Sequence, residues 1–153
     1  MSDTPIGQEC KLYYNAGTRA ARSWVEIKRA VDVTLNLSKG DADTSRRESS
    51  WELKRGALKQ AGIDFGYRYK VGADTVFDAL LDSVLNNTPI ELAAMDGDIA
   101  TAGSQGLAMF CEIMQANRDE PLADGVSVAF TAAPTDHEEG GSLAEPEWLT
   151  ISA

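Results

Sequence analysis

Side chains able to do chemistry are few and badly spaced for it. The chain has one histidine, His137, beside Glu138 in an acidic stretch, and two cysteines far apart, Cys10 and Cys111. A closed zinc site needs four nitrogen or sulfur ligands, so no metal is expected and His137 reads as an exposed loop residue. Asp41, Asp43 and Ser45, with Glu52 at the twelfth position, follow calcium-loop spacing. Arg46, however, stands where that loop needs glycine, and strand patterns rather than helices flank it. Asp96/Asp98 and Glu138/Glu139 read as solvated loop charges, because nothing around them provides the environment of a general acid or base. No phosphate-binding glycine loop and no dinucleotide fingerprint occurs. The expectation is no enzyme, no catalytic residue and no cofactor.

The aromatic residues point the same way. Phe65, Tyr67 and Tyr69 form a row that could stack nucleobases, but no basic surround accompanies it. Packing beneath a helix is the expected role. Trp24, Trp51 and Trp148 are read as core or interface anchors.

The elements that would position these residues are mostly strands. Val31, Val33, Leu35 and Leu37 alternate with Asp32, Thr34 and Asn36, the period of a half-buried strand. Residues 38–50 then hold a single small apolar member, Ala42, before Trp51 and Leu53 restart the pattern. This predicts a β-hairpin with a long charged loop, far beyond the usual two to five residues and therefore a candidate for function. Residues 55–62, with glycine at 56 and 62, read as a connection. Alternation at 63–71 predicts the clearest strand, and shorter ones are expected at 11–14, 24–27, 90–94, 107–113, 126–132 and 148–151.

Only residues 75–87 carry helical periodicity. Phe77, Leu80, Leu81, Val84 and Leu85 make one apolar stripe, with Thr75 and Asp78 resembling a capping box. The predicted fold is mainly β, a sandwich or barrel of two antiparallel sheets with one flanking α-helix and a long hairpin loop. One domain over residues 1–153 is expected, loose at 1–10 and flexible in the acidic segment 134–147. No apolar run approaches the roughly 20 residues of a membrane helix. The first residues lack the layout of an export signal, so both cysteines are expected as reduced thiols.

Charge is divided unevenly. Up to residue 70 there are 13 Lys/Arg against 9 Asp/Glu, and beyond it 1 against 15, within a net charge of −10. Either complementary surfaces meet head to tail between copies, or the two halves interleave and the charges mix within one molecule. A nucleic-acid binder would show the opposite balance.

The order of these features resembles the tail tube (major tail) proteins of long-tailed phages. The resemblance rests on Trp24 and Ile27, the alternating run 31–37, the loop stretch 41–47 and Trp51. It continues through Gly62 to Phe65, the helix with Phe77, Leu80 and Leu81, and Ile90 to Leu92, spanning about residues 20–133. It implies two packed antiparallel sheets with a flanking helix, closed in homohexameric rings that stack into a tube, and kinship with type VI secretion tube proteins. It implies a place in the virion tail after assembly in the host cytoplasm. The implied partners are other copies of the chain, a tail-tip or baseplate initiator, a tape-measure protein and a tail terminator. DNA would pass through the lumen without specific binding, and no membrane is involved. The long loop would supply the subunit contact, through Lys39, Asp41, Asp43, Thr44, Arg46, Arg47, Glu48 and Trp51. A type VI-like tube or a small β-barrel that binds an apolar ligand are the rival readings.

Overall fold

Period-two alternation becomes strand wherever a second strand covers the apolar face. The computed structural model describes residues 4–152. Its strands are β1 (Lys11–Asn15), β2 (Trp24–Glu26), β3 (Ala30–Asp43), β4 (Lys54–Arg68), β5 (Ile90–Met95), β6 (Gln105–Asp119) and β7 (Ser127–Pro134). The two-residue strands β8 (Glu138–Glu139) and β9 (Ser142–Leu143) follow, then β10 (Glu147–Thr150). One helix, α1 (Thr75–Asn86), joins β4 to β5. The main sheet runs β2-β1-β5-β6-β7-β4-β3, with β10 paired to the start of β6, while β8 and β9 form a separate small sheet. The fold is mainly β and antiparallel with one flanking helix, as expected.

The long β6 strand makes two layers from one sheet. Its first part, Gly106 to Cys111, pairs with β5, and its second, Cys111 to Asp119, pairs with β7 across an irregularity between Ile113 and Gln115. Leu12, Leu92 and Met109 from one part therefore share an apolar cluster with Phe65, Tyr67 and Phe130 from the other. A second cluster of Tyr13, Ala93, Met95 and Ala108 lies under Trp24, Leu149 and Ile151. Gly106 permits the close β5–β6 approach, since a Cβ there would stand 1.9 Å from the Ala94 carbonyl oxygen. Neither end strand of the main sheet, β2 or β3, pairs back to the other, so the sheet stays open rather than closing as a barrel.

Helix α1 covers the aromatic row, as predicted. Phe77 packs edge-on to Tyr69 at 5.4 Å between ring centres and touches Tyr67 and Phe130 as well. The start of the helix differs from the predicted capping box. Asp74 is the N-cap: one carboxylate oxygen accepts the Phe77 amide at 3.4 Å and the other accepts the Tyr67 hydroxyl at 2.5 Å. Burial opposes ionisation of Asp74, yet bonds from Tyr67 and from the Phe77 and Val76 amides outweigh it and hold the carboxyl below the usual range.

The buried stripe is also rotated from the predicted one. Leu80 is fully buried, Leu81 half-buried and Leu85 exposed, while Ser83 is buried. β5 begins opposite Cys111, so the Ile113 amide has no strand to pair with on that side, and Ser83 Oγ accepts it at 3.0 Å. A helix packed over a strand end needs a hydroxyl there more than another leucine.

Three further expectations need correction. Residues 55–62, read as a connection, belong to β4, and 38–43, read as loop, belong to β3. His137 is not an exposed loop residue: its ring stacks on Phe110 at 4.3 Å. Of the two roles expected for the tryptophans, core or interface anchor, Trp51 and Trp148 are excluded from the core, being 77% and 53% exposed. Of the segment 1–10, residues 1–3 lie outside the described residues, and Gly7–Glu9 form a 3-10 turn exposed to solvent. In the acidic stretch 134–147, Ala144 is buried and its amide donates to the His137 carbonyl at 2.8 Å. Cys10 and Cys111 are both free thiols, and burial pushes the Cys111 thiol well above its ordinary range.

Candidate assembly surface

The hairpin of β3 and β4 leaves the body of the protein as a two-stranded arm. Its register begins in the core with Leu35 opposite Ile63 and continues outward through Leu37/Ala61 and Lys39/Lys59. Gly40 then faces a bulge at Ala57 and Leu58, and pairing resumes at Asp41/Gly56 and ends at Asp43/Lys54. No residue between 36 and 60 is buried. From 37 to 43 the paired shaft is about 20 Å long at the usual rise per residue.

The two faces of the shaft differ. One carries cross-strand hydrogen bonds, Asn36 Nδ2 to Asp64 at 3.0 Å and Ser38 Oγ to Gln60 at 3.5 Å. The other extends the core face outward: buried Ile63 gives way to Leu37, 58% exposed, and then to two lysines directly opposite each other. Like charges across a strand pair are unfavourable, and no ion pair joins either lysine to another described residue. Leu58, at the bulge, is 85% exposed.

The tip, residues 44–53, is closed by its own hydrogen bonds. The Thr44 amide donates to the Leu53 carbonyl at 2.9 Å, and the Leu53 amide donates to Ser45 Oγ at 2.9 Å. Asp43 accepts the Ser45 amide at 2.9 Å, and its carboxyl sits below the usual range because the Ser45 hydroxyl and amide both bond the anion. Arg46 pairs with Glu48 at 2.9 Å, and Lys54 with Asp41 at 3.3 Å. The Arg47 side chain and the Trp51 ring project without such a partner among the described residues.

Of the residues predicted for subunit contact, Lys39, Asp41 and Asp43 thus stand on the β3 shaft and Thr44, Arg46, Arg47, Glu48 and Trp51 on the tip. All eight lie on one arm. Sequence reasoning missed Leu37, Leu58 and Lys59, which share its exposed surface. The Lys39/Lys59 opposition becomes visible only once the register is known.

Charge mixing within the molecule is real, in the body as well as on the arm. Arg22 sends Nε and Nη2 to the two oxygens of buried Glu91 at 3.1 and 2.9 Å, and Nη2 also reaches Glu147. Asn15 Nδ2 completes the Glu91 site at 2.9 Å, and Arg19 pairs with Glu147 at 3.4 Å. Lys11 pairs with Glu26 at 3.1 Å and lies 3.8 Å from Asp98. The cations nearest the N-terminus are thereby neutralised inside the chain, whereas Lys39 and Lys59 of the arm shaft have no ion-pair partner among the described residues.

Beside the arm root, an open groove of about 930 Å³ runs past Leu12, Val31, Leu35, Met95 and Trp148. It lies at the surface between β1 and β3 rather than within a closed barrel. Among the described residues no group of three or more His, Cys, Asp or Glu is placed to hold a metal ion, and no helix is long and apolar enough to cross a membrane.

An antiparallel sheet doubled around a shared strand, one helix over its aromatic face and a protruding hairpin together make the fold of tail tube proteins. Residues across 98% of the chain superpose on 81% of a subunit of the SPP1 tail tube, with a TM-score of 0.73 at 11% identity. The tail of an empty gene transfer agent particle, refined with C6 symmetry, matches 93% of this chain and 98% of its own at TM-score 0.68 and 14% identity. A chain of the anti-feeding prophage baseplate, six-fold symmetrised, matches over the full length of both chains at TM-score 0.61 and 7% identity. No protein-family model and no curated protein matches the chain. At such identities the likeness is one of fold.

Proposed function

We propose that this chain is a structural protein of a virion tail, which polymerises as stacked six-membered rings into a tube that delivers DNA. The observation that carries the reading is the arm: 25 consecutive residues, 36–60, without one buried side chain, on a fold shared with tail tubes. An isolated two-stranded ribbon is marginal in water, so an arm of this length finds its stability on a neighbour. The six-fold symmetry of the gene transfer agent tail and the anti-feeding prophage baseplate supports the ring size. Lys39, Asp41, Asp43, Thr44, Arg46, Arg47, Glu48 and Trp51 are the proposed contacts. A tip or baseplate complex would nucleate the tube, a tape-measure protein would set its length and a terminator would cap it.

No enzymatic role is assigned. The lumen conducts DNA passively, in keeping with the net charge of −10, because phosphate affinity depends on accessible Lys and Arg. Negative-stain microscopy of the purified chain, alone and with a tail-tip complex, tests the assembly: hollow tubes with six-fold cross-sections are expected. A protein that stays monomeric at high concentration with the tip complex present refutes it. Tight, salt-sensitive DNA binding in a mobility-shift assay refutes the passive conduit.

A further inference from the structure

The end of the sheet farthest from the arm carries the chemical complement of the arm's core-side face. There β6 turns into β7 through Asp119, Glu120, Leu122 and Asp124, and Leu122 is fully exposed. Arg118 is already engaged, 3.4 Å from Glu120 and over the Tyr69 ring. Arg68 lines the same shallow concavity. Asp119 and Asp124 have no ion-pair partner among the described residues. The turn is thus an exposed leucine between two free carboxylates. The arm face is an exposed Leu37 and half-buried Ala61 next to two free ammonium groups, Lys39 and Lys59.

One chain cannot bring these features together. β4 carries Ala61 at the arm root and Arg68 at its other end, where Arg68 pairs with Ser127 just after the turn. Seven residues of strand separate them by about 23 Å, and both are fixed in the same sheet. Only a second copy can supply the turn.

Building on the self-assembly reading above, we propose that the β6–β7 turn of one copy docks on the core-side face of the arm of the next. Leu122 sits against Leu37 and Ala61, and Asp119 and Asp124 face Lys39 and Lys59. The contact is heterologous, with different patches on the two copies, so it propagates head to tail instead of closing a two-fold dimer. It also accounts for the opposed lysines, whose mutual repulsion is offset only when carboxylates arrive from outside. The uneven charge of the two halves of the chain then has a local expression: free cations on the arm, free anions at the far end of the sheet.

Cross-linking tests the contact directly. In a Cys10→Ser background, with Cys111 buried, one protein carries Ala61→Cys and another Leu122→Cys. Mixed, assembled and oxidised, they should give a disulfide-linked dimer on a non-reducing gel, which neither gives alone. A chain carrying both cysteines should give a ladder. Charge exchange is the second readout. Lys39→Glu with Lys59→Glu, and separately Asp119→Lys with Asp124→Lys, should each reduce sedimentable polymer at least tenfold, and combining the four in one chain should restore it. Polymers visible by microscopy that give neither cross-link nor charge rescue overturn this contact and leave the assembly reading standing. A wild-type chain that never assembles, even with a tip complex, overturns both.

Discussion

Arg22→Ala gives the sharpest test of how the body of the protein is held. Its guanidinium meets both oxygens of Glu91, whose side chain is 2% exposed, and it ties β10 to the β1–β2 loop through Glu147. Burial works against the Arg22 charge, but the bonds from Glu147 and Glu91 outweigh it and raise its pKa further. Removing the arginine strands a buried carboxylate with Asn15 as its remaining partner, and such half-broken pairs cost about 3–5 kcal/mol. For a chain of this size that corresponds to a fall in Tm of roughly 10 °C. Replacing both partners, Arg22→Met with Glu91→Leu, should recover most of the loss, because no charge is left buried. Asn15 keeps the Thr18 carbonyl at 3.0 Å and Glu147 keeps Arg19, so neither is orphaned in the double variant. Urea denaturation followed by tryptophan fluorescence reads all three proteins. A loss below about 1 kcal/mol for Arg22→Ala, or a double variant at least as unstable as Arg22→Ala, would refute this account of the buried pair.

Leu80→Ala should cost about 2–5 kcal/mol, and Leu81→Ala distinctly less, since only Leu80 is fully buried; equal losses in thermal denaturation would mean the helix face is misplaced. Ser83→Ala should cost about 1–3 kcal/mol by orphaning the Ile113 amide, and Ser83→Thr, which keeps the hydroxyl, should lose less. Replacing residues 38–60 with Asn-Gly between Leu37 and Ala61 should leave circular dichroism and Tm nearly unchanged while abolishing polymer, and normal tubes from this variant would make the arm dispensable. Hydrogen bonds and charge from Arg22, with a smaller part from Arg19, outweigh burial and hold the Glu147 carboxyl below its ordinary value. The stability it contributes is therefore full above the unfolded carboxylate pKa of about 4.5 and is lost as pH falls through the depressed folded value. Glu147→Gln should flatten that part of the acid limb, and an unchanged acid profile would contradict the assignment.

Alternating residues announced strands wherever one face is buried: Ile63, Phe65 and Tyr67 in β4, Val128, Phe130 and Ala132 in β7, and the helix under Phe77 were legible for that reason. The body's polar clasp was not, because Arg22, Glu91 and Glu147 are far apart in the chain and none belongs to a recognisable motif. The rotation of the helix stripe toward Ser83 escaped notice for a related cause: the amide it satisfies is left free because β5, a strand that comes later in the chain, starts only opposite Cys111.

The arm marks the boundary most clearly. Its composition already singled out residues 38–50 as a charged projection with candidate contact residues. Hydrophobic alternation, however, reports burial rather than strand, so the stretch 38–43 and its partner 54–60, exposed on both faces, carried no strand signal at all. Backbone hydrogen bonding between two distant stretches extended the hairpin, and its register set Lys39 against Lys59. The sequence by itself determined that a charged hairpin leaves a β body with one helix. Only the tertiary structure decided which face of that hairpin is apolar, which of its charges are left unpaired and which end of the sheet lies opposite, because all three depend on pairings between residues that local pattern does not connect.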